Sequence, residues 1–235
     1  ECRERTDAIL QSLYLLFNEG YLPSQHDNAT REELCGEAMR LCHLLTKNPL
    51  TRFPRTHALL ALFCFQASRL GTRTNDQGQI ILLKYQDRKK WNHLLIQQGY
   101  NCLEAAAEPF EISTYHLEAA IASLHAASKE FELTDWKSIY TMYEKLYQFN
   151  PSPIVAMNKA VAALYAFNPN RALEEMIAID SLHRHYHHLH CHSLHLHLPP
   201  PPTPTFLFKL LFSSSSSNIS ERTASNIYNK QTNSN

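Results

Sequence analysis

The sequence predicts an all-α protein built of antiparallel helical hairpins, followed by a disordered C-terminal tail. Three observations carry that expectation. Up to about Ile179, apolar residues recur at three- and four-residue spacing in one segment after another, the period of a helix with one buried face. Capping residues open most of these segments, and glycine or an Asn-Pro pair closes several of them. Glycine is scarce, 5 in 235 residues, and neither GxGxxG nor GxxxxGK[ST] occurs, which disfavours a β-rich fold or a nucleotide-binding loop.

Taken in order, Thr6 is suited to cap a first helix to about Glu19, with Ile9, Leu10, Leu13, Leu16 and Phe17 on one side and Gly20 as its stop. Tyr21 to Asn28 reads as loop by composition. Thr30 and Glu33 form a capping box for a second helix that carries Leu34, Ala38, Leu41 and Leu45 and ends at Asn48-Pro49. The third, about Arg55 to Leu70, is apolar on nearly every side (Ala58 to Phe65), so it belongs in the centre of the domain.

After Gly71 comes the one long connection of the pattern: a polar turn, Thr74 to Gly78, then the apolar run Ile80-Ile81-Leu82-Leu83, then Gln86-Asp87-Arg88. Four consecutive apolar residues are expected to fold back onto helices. Asp87 is expected to cap a fourth helix, about Arg88 to Glu108, by accepting from the free amides of Lys89 or Lys90, with Trp91 one turn in. Gly99 inside that helix points to a close helix crossing, since it otherwise costs about 1 kcal/mol relative to Ala.

Ser113 caps a fifth helix to about Phe131, whose five alanines, Ala119 to Ala127, permit close packing. His116 and His125, nine residues apart on it, read as packing or hydrogen-bonding residues and not as ligands. Thr134-Asp135-Trp136 opens a sixth helix with a stripe of Trp136, Ile139, Tyr140, Tyr143, Leu146 and Tyr147, expected in the core. Ser152-Pro153, in the favoured cap-then-proline order, opens a seventh that Asn168-Pro169-Asn170 breaks. An eighth runs from about Arg171 to Ile179. In this last hairpin Ala160 and Ala172, with Met176 and Ile179, have the small-residue spacing of a tetratricopeptide unit.

Beyond about Leu182 the character changes. Eight of the 14 histidines lie between His183 and His197, followed by Pro199 to Pro202 and Ser213 to Ser217. Neutral imidazoles and Cys191 are possible metal ligands in general, but no spacing singles out four of them, and no metal or other cofactor is expected. The domain is therefore placed at residues 1–190 and a His/Pro/Ser-rich tail at 191–235. The abrupt change reads as disorder, or as translation of a disrupted reading frame.

Lys plus Arg and Asp plus Glu balance at 22 each, which gives no electrostatic case for binding nucleic acid or an anionic membrane. The six cysteines are scattered without a CxxC, consistent with reduced thiols in a cytoplasmic protein. No apolar stretch is long enough to span a bilayer, and no signal peptide opens the chain. The first residue is Glu, so the sequence reads as an excerpt of a longer protein.

Six blocks in order carry a family resemblance: LYLLFNEGY (Leu13 to Tyr21), GEAMRLCHLL (Gly36 to Leu45), the long block from Leu59 to Trp91, YHLEAAIASLHA (Tyr115 to Ala126), TDWKSIYTMYEKL (Thr134 to Leu146) and PSPIVAMNKAVA (Pro151 to Ala162). A weaker seventh is YHHLH (Tyr186 to His190). Together they resemble the C-terminal extension of a subgroup of extracytoplasmic-function RNA polymerase sigma factors, over about Arg5 to His190. The resemblance implies a helical, tetratricopeptide-like region following two domains that bind core polymerase and read promoter DNA. Those two domains are not in this sequence, so core RNA polymerase and promoter DNA are expected partners only through them.

The function expected is that of a regulatory, protein-interaction region of a bacterial sigma factor, acting in transcription initiation through its parent protein. The alternative is a stand-alone helical-repeat scaffold with no role in transcription. The candidate partner-contact loop comprises Asp76, Gln86, Asp87, Arg88 and Trp91, although local capping and corner packing are the favoured reading for Asp87 and Trp91. An enzyme is not expected: Asp135, Glu37, Glu104 and the histidines fall into no motif that brings nucleophile, base and orienting group together.

Overall fold

A helix that is apolar all round has to be wrapped by its neighbours, and α3 (Pro54–Ala67) is: every side chain from Ala58 to Phe65 is buried. The computed structural model describes residues 2–21, 32–77, 79–108 and 111–179. Around α3 lie α1 (Cys2–Tyr21), α2 (Glu32–Lys47), α4 (His93–Ala105) and α5 (Thr114–Ala127), all in contact with it. α6 (Trp136–Phe149) packs on α5, and α7 (Pro153–Ala166) on α6, so successive helices pair as expected of helical hairpins. Residues 169–179 form a further helix, and no strand occurs among the described residues beyond an isolated bridge between Thr74 and Ile80. The chain divides into two compact units, Glu1–Glu175 and Met176–Asn235. The expectations for Cys191, the boundary at residue 190 and the tail fall outside the described residues.

Two apolar clusters hold the first unit together. The larger joins α1, α2, α3 and α4 with Trp91 and Ala119, and stacks Phe17 on Phe63 at 4.3 Å between ring centroids. The smaller joins Leu117 and Ile121 of α5 to Ile139, Tyr140 and Leu146 of α6 and Val155, Ala162 and Ala163 of α7. α5 thus serves both clusters from opposite sides, which its alanine-rich sequence permits. The aromatic stripe of α6 is core, as expected, and Ala160 and Ala172 are both buried.

The close crossing expected at Gly99 is present. A Cβ added there would stand 2.8 Å from Cε1 of Phe65, whose ring is buried and edge-on to Tyr100. Gly99→Ala is therefore expected to lower stability by about 1–2 kcal/mol even after the gain in helix propensity, because overpacking outweighs it. Urea unfolding checks this, and a Phe65→Leu background should relieve most of the loss.

Several ends differ from expectation. α1 begins at Cys2, not Thr6, whose hydroxyl instead donates to the Cys2 carbonyl at 2.9 Å inside the helix. Gly20 is buried within α1 and does not end it. α3 stops at Ala67 and α5 at Ala127, both short of the ends expected at Leu70 and Phe131. The last helix begins at residue 169, with the Asn168 carbonyl oxygen Oδ1 accepting from the Arg171 amide at 3.0 Å. Thr30 lies outside the described residues. The caps at Asp135 and Ser152 form as expected, and Ser113 caps α5 in a box whose second member is His116.

One charged staple had no sequence signal. Arg55, buried at the start of α3, donates to Asp7 of α1 and to Glu111 at 2.8 Å, and lies 4.6 Å from the centroid of the Phe53 ring.

Candidate functional site

The connection from Ser68 to Asn92 is a closed loop with a fixed frame. Its two ends meet where the Asn92 amide donates to the Ser68 carbonyl at 2.9 Å. Its first arm turns back on itself: Asn75 Oδ1 accepts from the amides of Gln77 and Gln79, and the Thr74–Ile80 bridge closes the turn. That arm is fastened to the C-terminal end of α1, for Arg73 lies 3.5 Å above the Tyr21 ring and donates to its carbonyl, while Arg69 donates to the Tyr21 hydroxyl.

The second arm is fastened by Arg88 and Trp91. Arg88 is buried, and its guanidinium donates to the carbonyls of His125 at 2.7 Å and Ser128 at 2.9 Å and to the Thr134 hydroxyl at 3.2 Å. It therefore clamps the connection to the turn between α5 and α6. Burial lowers its pKa, with Arg69 adding to the effect. The Trp91 ring is 3% exposed and belongs to the larger core cluster. Arg88→Lys keeps the charge but not the three-way fork, so a stability loss of about 1–2 kcal/mol is expected in urea unfolding.

Asp87 does cap, accepting from the Lys89 amide at 3.1 Å, but the element it caps is a single 3-10 turn, Arg88–Lys90. α4 itself begins at His93 under Asn92, whose Oδ1 accepts from the amides of Leu94 and Leu95, and it ends at Ala105. Trp91 thus sits between the two, not one turn into a helix. Gln86 is half-buried and donates to the Ile81 carbonyl at 2.9 Å, and Asp76 is exposed in the polar turn. Of the five candidate contact residues, then, Asp76 and Asp87 face solvent, while Arg88 and Trp91 anchor the loop from inside.

The expectation that the whole apolar run packs inward is corrected. Leu83 packs on the core, but Ile80 is 63% and Leu82 46% exposed, with Tyr85 beyond them at 55%. The pairing of Ile80 with Thr74 and the turn at Leu83–Tyr85 set successive side chains to different sides. This edge thus presents apolar and aromatic groups, with exposed Lys84, Asp87, Lys89 and Lys90 near them in sequence.

Neither histidine of α5 is poised for proton transfer. Burial, reinforced by Arg69 and Arg88, pushes His125 down to about 3. His116 accepts from the Ser113 amide at 3.1 Å, and its other ring nitrogen faces the Ala106 carbonyl at 3.2 Å. Both roles are the structural ones expected.

No sequence motif singles out Glu118, the sole carboxylate of α5. It accepts from the Tyr14 hydroxyl of α1 at 2.9 Å, and burial pushes it up to about 7. Tyr115 and Tyr143 are electrostatically coupled to it, and burial raises each to about 12. The available signal was its position between Leu117 and Ala119 on a helix whose alanines imply neighbours on several sides. Among the described residues no cluster of three or more His, Cys, Asp or Glu side chains is arranged to hold a metal ion, and no helix is long and apolar enough to cross a membrane.

Comparison with known proteins gives a family likeness without an assigned activity. No solved structure matches the chain. Over 170 residues it is 36% identical to an uncharacterized protein, R00370, of Rhizobium meliloti (strain 1021), an alignment that covers 72% of this chain and 40% of the Rhizobium protein. This chain therefore spans well under half the length of that relative. Residues 5–107, which take in most of α1, all of α2 to α4 and the connection, match a family of unknown function, DUF6596.

Proposed function

We propose that this chain is the C-terminal regulatory region of a bacterial sigma factor, acting in transcription initiation through a longer parent protein and making contact with protein. The observation that carries the contact is the edge of the connection, where Ile80, Leu82 and Tyr85 are exposed on a segment that the buried Arg88 and Trp91 anchor. Solvent-exposed apolar groups on a segment fastened at both arms lose less entropy on binding than they would on a free chain, which favours a protein contact. The sigma-factor part of the reading rests on the six ordered sequence blocks and on the all-helical fold they imply. The balance of 22 basic and 22 acidic side chains favours a protein partner over DNA. No catalytic step is assigned.

Two measurements test this. Sequencing the gene upstream of Glu1 should reveal polymerase-binding and helix-turn-helix domains in frame; a start codon there instead would leave a stand-alone scaffold. In the full gene product, a photo-crosslinking residue at position 82 should capture the preceding domains or core polymerase. Leu82→Asp should weaken that association about tenfold, the loss of one well-seated apolar contact. Capture of neither would remove the contact surface from the proposal.

A further inference from the structure

The bridge between Thr74 and Ile80 has the antiparallel pattern in which the bridged residues are not hydrogen-bonded to each other. Its two bonds run on either side of the pair: the Asn75 amide donates to the Gln79 carbonyl at 3.0 Å, and the Ile81 amide to the Arg73 carbonyl at 2.6 Å. The Ile81 carbonyl accepts from the Gln86 side chain at 2.9 Å, so the inner edge of this extended segment is fully engaged. The outer edge is not. In this pattern the amide and carbonyl of Ile80 and the amide of Leu82 point away from the first arm, and none of the three has a hydrogen-bond partner among the described residues. Only the Leu82 carbonyl is taken, by the Tyr85 amide at 2.8 Å. Ile80 and Leu82, two residues apart in extended backbone, also put their exposed side chains on one face.

The charge around this edge is one-sided. The Ser68–Asn92 connection carries six basic and two acidic residues, in a chain whose charges balance. Its three arginines spend their hydrogen bonds on neutral acceptors: Arg69 on the Tyr21 hydroxyl and the Gln66 side chain, Arg73 on the Tyr21 carbonyl, Arg88 on two carbonyls and the Thr134 hydroxyl. No carboxylate among the described residues forms an ion pair with them, so the connection keeps a positive field.

We propose that the outer edge at Ile80 and Leu82 takes an extended acidic segment of a partner protein as an added β-strand, with apolar residues at alternate positions. Backbone hydrogen bonds to Ile80 and Leu82 supply the pairing, the alternate apolar side chains cover the two exposed ones, and the acidic residues answer the field of the connection. This inference rests on the reading of the connection as a protein-contact surface and specifies the form of the partner.

The test is an NMR titration of the full isotope-labelled chain with the synthetic peptide Glu-Val-Glu-Val-Glu-Val-Glu-Val. The Ile80 and Leu82 amides are expected to move downfield and exchange more slowly, and the same peptide with Lys for Glu should bind about tenfold more weakly. Leu82 has φ −60°, the value that a proline ring imposes, so Leu82→Pro removes the outward donor with little strain. It should bind the acidic peptide about tenfold more weakly than Leu82→Ala, the equivalent of one lost hydrogen bond, at an unchanged unfolding midpoint. Silence of both amides at millimolar peptide, equal binding of the Lys peptide, or equal binding by the two variants would each overturn the proposal. Concentration-dependent shifts of these amides without peptide would assign the edge to a second copy of the chain and overturn it too. Crosslinking from position 82 in the full gene product separates the two readings: capture there with no peptide response leaves the contact and removes the added strand, whereas failure of both removes both. The titration of the unsubstituted chain decides the matter even if a variant fails to fold.

Discussion

Trp91→Ala should lower the stability of the domain by about 3–5 kcal/mol, the loss expected when a large buried ring leaves a cavity that its neighbours fill only partly. The ring is 3% exposed and lies among the side chains of the larger core cluster. Two guanidinium groups also face it, Arg88 at 5.1 Å and Arg69 at 5.7 Å from the ring centroid. Each cation loses an attractive surface worth about 0.5–1 kcal/mol when the ring is removed. Equilibrium urea unfolding, followed by circular dichroism so that loss of the fluorophore does not matter, measures the effect. A change under about 1 kcal/mol would mean that the ring is at the surface and the loop is not anchored there. Because Arg88 and Trp91 share this contact, the double variant should lose less than the sum of the two singles.

The features legible in the sequence were those that depend on near neighbours. The continuous apolar run Ala58 to Phe65 placed α3 at the centre, and Asp135 and Ser152 marked the starts of α6 and α7 because a cap acts on amides two or three residues away. Gly99 signalled a crossing for a similarly local reason: a helix rarely carries a glycine unless a neighbour needs the space. What stayed hidden depends on distant partners. Arg55 is buried because Asp7 and Glu111, 48 and 56 residues away, satisfy it. Arg88 is buried because three acceptors at the α5–α6 turn converge on it. The connection combined both kinds of problem. Asp87 and Asn92 are each good caps, and only the packing of Trp91 between them decides that Asp87 heads a short 3-10 turn while Asn92 heads the helix. Composition alone also predicted burial for Ile80 and Leu82, whereas the turn geometry leaves both outside.

Glu118→Gln should stabilise the domain at neutral and alkaline pH and leave it nearly unchanged in acid. The direction follows from where the proton sits. Glu118 titrates at an ordinary value of 4.5 in the unfolded chain and at about 7 once burial has taken its carboxyl out of water. Below 4.5 both states are protonated and the residue makes no pH-dependent contribution. Between 4.5 and 7 the folded chain holds a proton that the unfolded chain has released, so stability falls as pH rises through this window. Above it both states are ionised, and the folded chain carries the full cost of a buried carboxylate, about 3 kcal/mol for a shift of this size. Glutamine keeps an oxygen able to accept from the Tyr14 hydroxyl, now at 2.9 Å from Glu118, and removes the charge. Urea unfolding of both proteins at pH 4 and pH 8 separates the outcomes: the variant should gain about 2–3 kcal/mol over the parent at the higher pH alone. An equal difference at both would mean that Glu118 matters through shape, and a loss at pH 8 would mean that its carboxylate is stabilised in the fold. The Tyr14 hydroxyl is the contact that moderates the cost, because its hydrogen bond favours the ionised carboxylate. Tyr14→Phe in the parent sequence should therefore move the Glu118 titration further upward and widen the window over which alkali destabilises the fold.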